Sequence, residues 1–110
     1  MSNDRSDRAA QGWERVETRE AFVASFADRP LYGADVVFTI HSSGALTGTI
    51  EGKELSGEWF WSGDLFCRRA WLDGVDLGLD CEVILKRGAE MQYCGDGGAA
   101  PPVIVTPQRD

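Results

Sequence analysis

Trp59, Trp61 and Trp71 stand with Arg69 in the run GEWFWSGDLFCRRAW, Gly57 to Trp71, which holds three of the four tryptophans. Aromatic faces attract cations and line apolar concavities, and a guanidinium among them is a ready mate for a carboxylate. With Tyr93 from a later segment, these side chains are the strongest candidates for holding a planar or apolar ligand whose carboxylate faces Arg69. The same rings would serve equally as the core of a small protein, because aromatic side chains dominate core burial. In that case Arg69 would reach the rim or pair with an acid.

Cys67 and Cys81 fall on consecutive predicted strands, and parity can place both on one face. As cross-strand neighbours they could form a disulfide worth about 3 kcal/mol in the chain-entropy model. Two buried thiols are the alternative, and the odd total of three cysteines agrees with a reducing compartment. No close pair such as C-x-x-C exists among Cys67, Cys81, Cys94 and the single His41, so no metal site is expected. Cys94 adjoins Gly95-Asp96-Gly97-Gly98 without a flanking base to activate it. That glycine run leads into Ala-Ala-Pro-Pro rather than a helix N-terminus, which speaks for a turn rather than a phosphate loop. Asp73, Asp76 and Asp80 lack the alternating oxygen ligands and closing glutamate of a calcium loop and read as turn residues. No catalytic residue and no cofactor is therefore named, and the reading leans away from an enzyme.

The elements that must position these residues follow from periodicity and turn chemistry. Residues 1–12 are polar, charged and without periodicity, the pattern of an unstructured arm. Residues 13–110 form a single domain. Thr18 can cap a short helix over Arg19 to Ala27, with Glu20 at its positive end and Phe22, Val23 and Phe26 on one stripe. Pro30 and Gly33 then turn the chain into a sheet. Strands are predicted over 35–41, 45–50, 55–61, 65–72, 81–86 and 90–94, separated by Gly-containing turns. Val75 to Asp80 reads as a loop crossing an end of the sheet, and Val103 to Val105 as a seventh strand, at the edge. Alternation puts Leu55, Gly57, Trp59 and Trp61 on one face of their strand, and Leu65, Cys67, Arg69 and Trp71 on one face of the next. The fold class is mainly β, in the α+β sense: one N-terminal helix, then a six- to seven-stranded antiparallel meander curved into a half-barrel or small barrel. The exposed edge beside the last strand predicts a homodimer.

Composition bounds the partners. A 110-residue chain builds one core, and 43% apolar content supplies it. No stretch is long and apolar enough to span a bilayer, so no membrane role is expected. Residues 33–110 carry nearly all of the net charge of −7. The only adjacent basic pairs are Arg68-Arg69 and Lys86-Arg87, too few for a nucleic-acid surface. An acidic face serves solubility first and a basic protein partner second. The N-terminus lacks a basic start followed by an apolar core segment, so the expected location is the cytoplasm.

The segment LTGTIEGKELSGEWFWSGDLFCR, followed by a second cysteine and a last hairpin ending in DGG, resembles small α-proteobacterial proteins of unknown function. Those proteins carry a lipocalin-like or calycin-like half-barrel, and some are labelled dihydrodipicolinate reductase. The resemblance covers Gly44 to Gly98 and rests on the Gly-x-Trp-x-Trp, Cys-Arg and later Cys positions. It implies a lipocalin-like fold and, from secreted relatives, a bond between Cys67 and Cys81. The reductase activity does not transfer, because no Gly-x-Gly-x-x-Gly follows a strand and the chain is too short for a dinucleotide domain plus a substrate domain. The leading expectation is a non-enzymatic module that binds a small hydrophobic or aromatic ligand. A protein-interaction module for a basic partner comes second, and a small enzyme third.

Overall fold

The computed structural model describes residues 11–107. The arm expected over residues 1–12 lies outside them except for the exposed turn at Gln11 and Gly12. Nine strands and one α-helix follow: β1 (Glu14–Val16), α1 (Arg19–Phe26), β2 (Pro30–Gly33), β3 (Val36–Ile40), β4 (Ala45–Ile50), β5 (Lys53–Ser62), β6 (Leu65–Leu72), β7 (Val75–Arg87), β8 (Glu90–Cys94) and β9 (Val103–Val105). From β2 to β9 every strand pairs antiparallel with its successor, and β1 adds itself to β7. Tyr32 and Thr106 exchange backbone hydrogen bonds of 2.7 and 2.9 Å, which brings the last strand back to β2 and nearly closes the sheet into a small barrel.

Five of the seven connections from β2 to β9 are two residues long. In Glu51-Gly52 and Asp73-Gly74 both residues take positive φ, the turn whose twist matches the flanking strands. Asp73 secures its turn further, its Oδ1 accepting the Glu54 N–H at 2.8 Å.

Helix α1 begins where Thr18 Oγ1 accepts the Ala21 N–H at 3.2 Å, and it ends at Phe26. It lays Phe22 and Phe26 into the barrel. The Phe22 ring is 5.1 to 5.9 Å, centre to centre, from those of Phe66, Trp61, Trp59 and Phe26. Leu31, Phe38, Ile40, Leu46, Ile84, Met91 and Val105 continue the same core. A smaller apolar cluster lies elsewhere, where Trp13 packs on Val83, Leu85 and Cys94 with Arg87 over its ring.

Three sequence expectations are corrected. The strand count is nine among the described residues rather than six or seven, because β1 and β2 are too short to show a period. Pro30, expected to turn the chain, opens β2, a position where a strand tolerates a missing N–H. Val75 to Asp80 is no crossing loop but the first part of a 13-residue strand. A β-bulge disguises it: Trp71 pairs with Asp76 and Ala70 with Gly78, leaving Leu77 as the extra residue. Gly78 takes φ 79° there, and its N–H donates to Asp76 Oδ1 at 2.7 Å.

Candidate functional site

Which face each side chain meets is decided by register. Ser62 pairs with Leu65, so odd-numbered positions of β5 stand opposite even-numbered positions of β6: Trp61 faces Phe66 and Trp59 faces Arg68. Directly opposed residues share a face. The interior therefore receives Trp59, Trp61, Phe66, Arg68 and Ala70, whereas Arg69 and Trp71 point outward. This corrects the expectation that Trp59, Trp61, Arg69 and Trp71 line one concavity. The alternation within each strand is as expected, and the two-residue turn sets the strands out of phase. Arg69 instead lies over the Trp71 ring at 5.6 Å and pairs with Asp76 at 3.1 Å, an exposed bridge on the outer surface.

Trp59 and Trp61 belong to the helix end of the core. Trp59 stacks on Phe66 and donates its Nε1–H to the His41 carbonyl at 2.7 Å. Arg19 covers its ring at 5.1 Å. Trp61 packs against Phe22. Helix α1 thus occupies the volume that a ligand on these two tryptophans would need.

The bulge at Leu77 has a second effect. The Asp73-Gly74 turn alone would set Cys67 opposite Asp80. One extra residue shifts the register, so that Cys67 meets Cys81, Arg68 meets Asp80 and Phe66 meets Glu82. Cys67 and Cys81 are joined as a disulfide, with Cα atoms 4.0 Å apart, while Cys94 is a buried thiol. The alternative of two thiols at 67 and 81 is not what the structure shows.

The same shift turns Glu82 inward. A cavity of about 110 Å³ is walled by Phe38, Ile40, Leu46, Leu55, Phe66 and Met91, with Val36, Ile50 and Leu77 completing its apolar lining. Its polar groups are Arg68 from β6, Glu82 from β7 and Tyr93 from β8. Tyr93, alone among the residues expected to bind ligand, is part of it, its ring edge-on to Phe38 at 5.8 Å. Arg68 is divided among three acceptors: the Gly78 carbonyl at 3.2 Å, Asp80 at 3.8 Å and Glu82 at 3.6 Å. Burial raises the Glu82 carboxyl to about 7 against the pull of Arg68, with Asp80 adding to the rise. Burial, seconded by the charge of Glu82, also raises the Tyr93 phenol to about 12, so that it stays protonated. Arg68 and Glu82 were not singled out from sequence. A charged residue at an inward position of a strand is the signal that could have found Arg68, whereas Glu82 required the bulge.

Elsewhere, His41 Nε2 sits 2.8 Å from Thr47 Oγ1 in an exposed cross-strand contact away from the cavity. Among the described residues no group of three His, Cys, Asp or Glu side chains is placed to hold a metal ion. No family model, curated protein or solved structure matches the chain. The barrel cavity is thus argued from its geometry alone.

Proposed function

We propose that this protein is a non-enzymatic, lipocalin-like binding module whose barrel cavity takes a small hydrophobic ligand. The observation that carries the proposal is the cavity itself: apolar walls on several strands and a few convergent polar groups, the composition expected of a ligand site. Size narrows the ligand. A dry cavity of roughly 150 Å³ accommodates benzene, so about 110 Å³ suits a compact hydrocarbon body of a few carbon atoms. A whole flavin or porphyrin exceeds it.

Titrating the isotope-labelled protein with 3-methylbutan-1-ol tests this. The methyl resonances of Leu46, Leu55 and Met91 are expected to shift in a saturable way while those of Leu79, on the outside, stay put. Uniform small shifts, or none, with this alcohol and with the amine of the same shape alike would overturn the proposal.

A further inference from the structure

We infer that the cavity is built for a small organic cation, a protonated amine on a compact hydrocarbon body, with the Glu82 carboxylate as its counter-ion. This rests on the binding role proposed above and adds the chemical class of the ligand.

Glu82 is 7% exposed and lines the cavity. An ionised carboxylate offers about four acceptor positions and donates nothing. Among the described residues, its one opposite charge is Arg68 Nε at 3.6 Å, too long for a hydrogen bond. Arg68 is also engaged elsewhere. Its NH1 is held by the Gly78 carbonyl, and its NH2 faces Asp80. Asp80 in turn is anchored where its Oδ1 accepts the Asp96 N–H at 2.8 Å. Two carboxylates thus share one guanidinium, and Glu82, the one of them that lines the cavity, receives no hydrogen bond from the protein among the described residues. A carboxylate largely withdrawn from water and given no donor by the protein is costly to ionise, and a donor carried by a ligand relieves that cost.

Three ligand chemistries meet these groups differently. A carboxylate would face two acids across an arginine already engaged by both. A neutral alcohol could give Glu82 one hydrogen bond but leaves the charge uncompensated. An ammonium group supplies up to three N–H donors and the missing positive charge, and the apolar walls take its hydrocarbon body. The charged and titratable groups that bear on Glu82 are Arg68 from β6, Asp80 on its own strand and Tyr93 from β8. The other walls, from β3, β4 and β5, contribute apolar side chains. Since Glu82 titrates near neutrality, an amine that stays protonated throughout should bind better as the pH rises.

Calorimetric or NMR titration of the intact chain with three ligands of nearly equal shape separates the cases: 3-methylbutylamine, 3-methylbutan-1-ol and 3-methylbutanoate. At about pH 8.5 the amine is expected to bind roughly tenfold more tightly than the alcohol, and the carboxylate most weakly. Between about pH 8.5 and 5.5 the amine should lose roughly thirtyfold in affinity as Glu82 takes up a proton. Glu82→Gln should reduce the amine-to-alcohol ratio to about one by removing the counter-charge. Should that variant fail to fold, the pH profile of the unaltered protein decides. Alcohol or carboxylate binding at least as tightly as the amine, or a flat pH profile, overturns the cation inference and leaves the cavity standing. Failure of all three ligands to bind overturns both.

Discussion

A carboxyl group pressed into an apolar barrel stabilises the fold best while it keeps its proton, and Glu82 makes that testable without any ligand. Burial lifts it to about 7 from an ordinary value of 4.5, so the folded chain holds the proton more tightly than the unfolded one. Its stabilising effect is complete below the unfolded value and is lost as the pH rises through the folded one. The expected outcome is a fall of about 3 kcal/mol in unfolding free energy between those limits, levelling off above neutrality. Urea titrations across that window measure it, and Glu82→Gln should flatten the slope. A rise in stability over the same window would sink the assignment. Asp28 and Asp76 cannot mimic the effect. Hydrogen bonds, from Ser42 and from Gly78 respectively, hold them below the ordinary carboxylate range, so both act only at more acid pH. At this scale the sequence was only partly legible. Alternation named the tryptophans and Tyr93 as inward candidates, but whether an arginine faces in or out turned on one unit of register between Arg68 and Arg69.

At the scale of elements, the turns and the helix were readable because their signals are local. Thr18 caps α1, and the Gly-containing turns end the strands where their φ values allow. The bulge was not readable, because an extra residue such as Leu77 is identified only against the strand it fails to pair with. Gly57 shows how closely the elements approach. A Cβ added there would run into the Arg69 carbonyl and lie 2.9 Å from the Ala70 Cα on the neighbouring strand. Its φ is not in the left-handed region, so the demand is for space rather than for conformational freedom. Gly57→Ala is therefore expected to destabilise the protein by about 1 to 3 kcal/mol through forced separation of β5 and β6. Thermal unfolding reads this directly, and an unchanged midpoint would mean that the two strands part without loss.

At the scale of the whole molecule, closure is the decisive event, since a curved sheet with open edges would neither enclose a cavity nor protect its last strand. It rests on the hydrogen bonds between Tyr32 and Thr106. In hydrogen exchange, the amides of these two residues should be protected to a degree approaching that of Phe38 in the barrel wall. Exchange as fast as at the exposed turn residue Gly63 would show an open half-barrel instead. The sequence by itself determined the β class, the capped helix, most hairpins and the alternation within each strand, because these depend on propensities and turn residues a few positions apart. Only the tertiary structure decided that α1 fills the tryptophan end, that the bulge joins Cys67 to Cys81, and that Arg68 and Glu82 share a cavity. Those outcomes depend on how strands far apart in the chain fall into phase, and a shift of a single residue reverses every face it touches.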